Sequence, residues 1–458
     1  MIRTSESRRS PGDIAQLITD RFRIPAGICN FVVDPKLSGQ TGYFRFGSAI
    51  CYGQCSTGAP ASRAEDSLPD TLADVHVNGS AVHLPFDPAK IIDNLRCERY
   101  NGWDGINNYA AKSGFLRDVY YLVRPLMGVA VRKHFQKYYF RGWDQIRFPQ
   151  WPVDVTVEAI FEQLLTISMK WQGIDRLPFI WFWPDGAPSC TILTHDVETA
   201  AGLNFCETLM DLNDSFGIKT SFQIVPEDRY YVSQERLEKI RSRGFEVNIH
   251  DLNHDGRLMS THEEFQRRAQ DINAYGHQFG ASGFRSAVMY RNIDWHDELN
   301  FCYDMSIPNV AHLDPQRGGC CTVFPFFAGN ILELPVTTVQ DYSLFQVLND
   351  YSIELWQKQI AAIRARNGMI STIVHPDYII DETARSVYAE LLNHLDTMRS
   401  LGETWIALPR EVAAWWRLRS EMTLIGHGGE WRIEGEGRER ARLAYAVLKG
   451  DSLTYEFN

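Results

Sequence analysis

From residue 188 onward, short apolar, β-branched runs alternate with stretches whose apolar residues recur at helical spacing. Residues 191–194 form the first such run. An amphipathic helix over 203–216 follows and stops at Gly217. Residues 219–225 predict a strand ended by Pro226, and Ser233 caps a helix that closes at Gly244. Residues 245–249 predict the next strand, and Ser260 with Glu263 makes a capping box for a helix towards Gly276. Further strands are expected at 331–336, 369–374 and 404–408, with a helix around 353–366. Alternation of this kind predicts an α/β fold on a parallel sheet. About seven strand-helix units fit, so a distorted (β/α) barrel is expected over 151–418.

The flanks read differently. Residues 1–150 predict an N-terminal α+β extension: a loosely held start over 1–25, short strands and loops over 26–90, then more helical sequence. Residues 120–123 and 155–169 carry helix-like apolar spacing. Trp143, Trp151, Trp171, Trp181 and Trp183 crowd this region and are expected in the core more than on a sugar platform. Residues 419–458 alternate polar and apolar positions and predict a small β appendage.

Composition narrows the function classes. The chain has 458 residues, a net charge of −11 and 44% hydrophobic residues, which argues against nucleic acid or an anionic membrane surface as partner. No run reaches the roughly 18 apolar residues of a membrane span, and the start, with Arg8 and Arg9 but no apolar core behind them, does not read as a secretory signal. Nine cysteines at irregular spacing predict buried, reduced thiols and a cytoplasmic location. The Cys51/Cys55 spacing lacks the second pair of a structural zinc site.

Three motifs carry chemistry, each at the carboxyl end of an expected strand. Thr194-His195-Asp196-Val197-Glu198 puts Asp196 and Glu198 on one side of a strand and His195 and Val197 on the other. One carboxylate could bind a metal while the other takes a proton. His250 and His254 are spaced H-x-x-x-H, which presents two imidazoles to one divalent ion if the chain turns helically there. His375 ends an apolar strand ahead of Pro376 and is placed as a general acid. Any one motif has a bland reading as a polar strand end or a surface histidine. Two imidazoles and a carboxylate together form a facial set with open positions. No Gly-x-Ser-x-Gly elbow, P-loop or dinucleotide fingerprint occurs.

In that order the motifs resemble the polysaccharide deacetylase family, also called NodB homology or carbohydrate esterase 4, over roughly residues 188–410. Thr194 to Glu198 is similar to its first motif, His250/His254 to its second, and His375 to its fifth. Gly283-Phe284-Arg285-Ser286 keeps the arginine of the third but not its proline or aromatic, and Tyr303-Asp304 is a loose match to the fourth. The resemblance implies one divalent metal, zinc above others, on Glu198, His250 and His254, and an N-acylated sugar as substrate. Asp196 would be the base, Arg285 would hold it, a backbone N–H near Val288 would meet the oxyanion, His375 would protonate the amine, and Asp304 would tune His375. Because Val197 stands where the usual motif has its metal-binding aspartate, Asp196 as ligand with Glu198 as base stays open. Hydrolysis of another linear amide, or carbohydrate binding without catalysis, are the alternative functions.

Overall fold

The computed structural model describes residues 14–101, 140, 142–427 and 430–457. Arg8, Arg9 and the apolar run at 120–123 lie outside the described residues. Two compact units emerge. One comprises Met1–Tyr100, Val155–Gly186 and Trp415–Asn458, the other Asn101–Asp154 and Ala187–Ala414.

In the first unit, Ile14–Phe22 is an amphipathic helix that buries Ile14, Ile18 and Phe22, so this stretch is anchored where a loose start was expected. Two small sheets follow. Phe31–Val33 pairs in parallel with Ala81–Leu84, which pairs antiparallel with His76–Asn78; Gly42–Phe46 and Ala49–Gly53 form a hairpin. The helix Thr156–Gln172 forms as its periodicity predicts, and Gly173 ends it in the left-handed conformation at φ 65°. The expected boundaries near 150 and 419 are not those of the compact units. The strand Arg176–Ile180 hydrogen-bonds to Leu443–Lys449, which pairs with Ser452–Phe457. Ladder pairing across more than 260 positions of sequence ties the chain's end to this unit, a link that local pattern does not encode. Trp181 and Trp183 are buried, as expected of core tryptophans.

The second unit is α/β and carries a curled, mostly parallel sheet. Its order is Phe326–Ala328, Ile331–Glu333, Tyr303–Asp304, Gly283–Arg285, Glu246–His250, Ser221–Ile224, Cys190–Val197 and Met369–Ile373. Trp405–Ile406 also pairs with Cys190–Val197, and the pairing of the first two strands alone is antiparallel. Thr337 and Thr338 N–H groups donate to Ser371 O, which brings the 331–338 run against Met369–Ile373. Cys190–Val197 and Met369–Ile373 are buried at every position, the mark of parallel strands covered on both faces. Helices Ala200–Ser215, Gln234–Ser242, His262–Phe279, Glu354–Arg364 and Glu382–Ser400 intervene. Ser233 caps its helix as expected, but the next helix is capped by Thr261, whose hydroxyl accepts from Glu264 N, rather than by Ser260. The short strands Gly283–Arg285 and Tyr303–Asp304 escape a periodicity search because three and two residues show no period. Among the described residues no helix is long and apolar enough to cross a membrane. All nine cysteines are free thiols; seven are buried, Cys97 is partly exposed and Cys302 is exposed.

Candidate active site

Parallel strands end on the same side of a sheet, so residues at their carboxyl ends gather there whatever their separation in the chain. Four strands do this. Cys190–Val197 delivers Asp196 and, one residue on, Glu198; Glu246–His250 ends on His250; Gly283–Arg285 ends on Arg285; Met369–Ile373 leads into His375.

Asp196 and Glu198 share a side and have different partners. Asp196 Oδ1 accepts from Arg285 Nη1 at 2.6 Å. The same nitrogen donates to Thr194 Oγ1, and Arg285 Nε donates to Met305 O. Burial opposes ionisation of Asp196, but Arg285, with His250 and His375, holds its carboxyl below the usual range. Glu198 Oε1 lies 2.9 Å from His254 Nε2 and 3.6 Å from His375 Nε2. Burial again opposes ionisation, and His254 with His375 and His250 overcomes it, so this carboxylate too is ionised. His195 points the other way, its Nδ1 on Val374 O and its Nε2 near Asn213 and Tyr388.

His250 and His254 meet, though not on a helical turn. Asp251 and His254 adopt positive φ, 59° and 56°, and this tight turn sets the two rings 4.9 Å apart at 64°. His250 Nδ1 faces Arg285 O at 3.2 Å, which leaves Nε2 as the outward nitrogen. Burial lowers the His250 pKa to about 4, against the pull of Asp196, so the ring is neutral at pH 7. His254 is raised by Glu198 despite burial. Its Nδ1 sits 3.3 Å from Arg229 Nη2, and that guanidinium also donates to His254 O.

The donor set fits a divalent cation. Glu198, His250 and His254 each offer an atom within 4.8 Å of the others; Nε2 of His250 is buried without a hydrogen-bond partner, and Nε2 of His254 faces the Glu198 carboxylate at 2.9 Å. Neutral imidazoles and a carboxylate are the ligands such an ion takes. The Arg229 contact is the one mismatch: ligation through His254 Nε2 puts the ring proton on Nδ1, so this arginine end must shift slightly.

His375 is placed by residues that the motifs did not flag. Its Nδ1 pairs with Asp341 Oδ1 at 2.6 Å, and its backbone N–H donates to Asp341 Oδ2 at 2.7 Å. Burial disfavours the charged ring, but Asp341, with Glu198 and Asp196 behind it, carries its pKa up to about 10. Asp377 receives the Glu198 N–H at 3.3 Å and the Thr199 hydroxyl, and so braces the first motif. Both carboxylates carried a signal: Asp341 follows the predicted strand at 331–336, and Asp377 lies two residues after His375.

The expectation for Asp304 is corrected. The position beside His375 Nδ1 is taken by Asp341. Asp304 instead accepts from Ser306, stands in register with Glu333 and faces His296. It lies on a strand next to that of Arg285, and its side chain is drawn into this separate buried group.

No protein-family model and no curated protein matches the chain. Solved structures similar to it include polysaccharide deacetylases. A Mycobacterium smegmatis protein described as a polysaccharide deacetylase is 17% identical with a TM-score of 0.43, over 55% of this chain and 98% of that one. The allantoinase Puue is 13% identical with a TM-score of 0.41, over 51% and 92%. The peptidoglycan deacetylase PdaC from Bacillus subtilis is 13% identical with a TM-score of 0.31, over 50% and 93%.

Proposed function

We propose that the chain is a metal-dependent hydrolase that removes an acyl group from an N-acylated sugar. The observation that carries this reading is the meeting of three groups of distinct chemistry: Glu198 with the His250 and His254 imidazoles, the arginine-held carboxylate of Asp196, and the aspartate-backed imidazole of His375. Glu198, His250 and His254 would hold one divalent ion, zinc being the simplest choice for two imidazoles and a carboxylate. The Arg285 contact favours Asp196 as base and leaves Glu198, nearer His254, as ligand.

When bound, the ion polarises the amide carbonyl and makes water a better nucleophile. Asp196, kept ionised by Arg285, accepts the proton of the attacking water. A backbone N–H near Val288, in a segment bent by positive φ at Val288 and Met289, donates to the developing oxyanion. His375, protonated at Nε2 and held by Asp341 at Nδ1, donates to the amine nitrogen as the C–N bond breaks. One proton of the water passes to Asp196 and one from His375 to nitrogen, the other water proton leaves with the acid product and is lost as it ionises, and transfer of the Asp196 proton back to His375 through solvent resets the site. Nine free thiols fit a reducing compartment such as the cytoplasm.

The test is acetate release from a panel of N-acetylated glycans by the metal-loaded chain, with Asp196→Asn as control. Release by the native chain and its loss in the variant are expected. An active Asp196→Asn protein removes the base assignment, and a native protein that binds no metal removes the whole reading. Release only from non-sugar amides moves the substrate class.

A further inference from the structure

A second group of ligand-type side chains stands apart from the residues proposed for catalysis. His296 comes from the helical turn Ile293–Glu298, Asp304 from the strand Tyr303–Asp304 and Glu333 from the end of Ile331–Glu333. Asp304 and Glu333 are register partners on adjacent parallel strands. All three residues are fully buried, and one candidate ligand atom of each lies within 4.8 Å of the others. The surroundings are apolar: Ile307, Cys320 and Phe326 pack as a buried cluster with Ile293 against it, and Phe326 is the cross-strand partner of Glu333.

The protein satisfies this group only in part. Asp304 accepts from the Ser306 N–H at 3.0 Å and the Ser306 hydroxyl at 2.7 Å, and Glu333 Oε1 accepts from the Ile307 N–H at 3.0 Å. Both ring nitrogens of His296 are without a hydrogen-bond partner, while the Glu333 and Asp304 carboxyl groups share a hydrogen bond. His296 Nδ1 is 3.5 Å from Asp304 Oδ2, a long contact. An unpartnered buried polar atom is costly, so two on one fully buried ring, beside two carboxylates, call for a missing partner. The same signature, an orphaned imidazole nitrogen among carboxylates, marks His250 in the candidate active site. The remaining candidate trio, Asp34, His76 and His83, lacks it. Its two rings stack at 17°, and the in-plane lone pairs of near-parallel rings do not converge. Burial, then the charge of Asp304 and the hydrogen bond shared with it, pushes the Glu333 carboxyl well above the usual range.

We propose that His296, Asp304 and Glu333 bind a second divalent cation. One imidazole and two carboxylates favour an ion of the zinc or manganese class, and two ionised carboxylates balance its charge. The ion would tie the Ile293–Glu298 turn to two neighbouring strands. The site is independent of the proposed activity.

The full chain is loaded with zinc, or with manganese, desalted, and its metal-to-protein ratio measured. Two equivalents are expected. The double variant His250→Ala/His254→Ala is expected to keep one, and Glu333→Gln is expected to lose one while keeping the other. A double variant that keeps neither metal overturns the proposal, as does a Glu333→Gln protein that still holds two. Should Glu333→Gln fail to fold, the double variant decides alone. Chelation must then also lower its melting temperature by several degrees, and an unmoved melting temperature counts against a bound ion.

Discussion

Replacing Asp341 by asparagine probes the acid assignment at a residue that no motif marked. The carboxylate is fully buried. It accepts from His375 Nδ1 at 2.6 Å and from the backbone N–H groups of His375 at 2.7 Å and Tyr342 at 2.8 Å. Asparagine keeps the shape, loses the charge, and must turn its NH₂ towards one of these donors. Burial alone would lower the His375 pKa; Asp341 is foremost among the groups that reverse this and bring it from 6.5 to about 10. That span corresponds to roughly 5 kcal/mol at ~1.4 kcal/mol per tenfold. Glu198 and Asp196 share the effect, and the part that Asp341 supplies leaves the ring, once removed, a stronger acid; the loss comes instead from orientation, because without the carboxylate on Nδ1 the ring is no longer fixed with Nε2–H towards the amine, and general-acid catalysis, worth roughly 10²–10⁴, loses at least ~30-fold. The assay compares kcat/KM on an N-acetylated glycan with that on an activated aryl acetate, whose leaving group needs no proton. The amide rate is expected to fall at least ~30-fold and the ester rate less than ~3-fold. The acid must be protonated to act, so activity falls as pH rises through its pKa. A lower pKa moves that fall to lower pH. Equal losses on both substrates, or an unmoved high-pH limb, would refute the reasoning.

Other outcomes follow from the same geometry. Glu198→Gln removes a charged ligand, and metal affinity measured by competition with a chelating dye should drop about tenfold or more; unchanged affinity would reassign the ligand to Asp196. Arg268→Ala should weaken metal binding without touching the site, because Arg268 pairs with Asp255 at 2.7 and 2.8 Å and with Asn253 at 3.1 Å, next to His254. The same variant should raise the pH midpoint of acid unfolding. Arg267 and Arg268 together hold Glu264 at a pKa of about 2, below its ordinary 4.5, so this stability is full above about 4.5 and is lost as pH falls through about 2. Asn309→Ala should cost about 3–5 kcal/mol in denaturant titrations, since its side chain serves Asp154 N, Asp154 O and Thr322 O, and three backbone groups lose their partner together.

Much of the α/β pattern was legible because a buried strand and an amphipathic helix write their periods into local sequence. Cys190–Val197, Glu246–His250 and Met369–Ile373 are apolar runs long enough to read, and each carries a chemical residue at its end. Asp196, Glu198, His250, His254 and His375 were found this way and Arg285 only through the family resemblance, and the structure brings all six together. Cap chemistry was legible to within one residue, Ser260 giving way to Thr261, since neighbouring hydroxyls compete for the same N–H groups and only the backbone angle selects between them.

What the amino-acid order determined by itself was therefore the kind of fold and most of the groups that gather at the candidate site, because both are written in residue type and short-range spacing. Tertiary structure decided which carboxylate serves which histidine. Asp341 and Asp304 are both acidic residues near strand ends, but sheet order sets Asp304 beside Glu333 and the Asp341 loop beside His375. It also decided that the strand Leu443–Lys449 pairs with residues 176–180. Hydrogen-bond partners across a sheet are chosen by register and by the shape of the whole core, and those are properties of the folded chain rather than of any window of sequence.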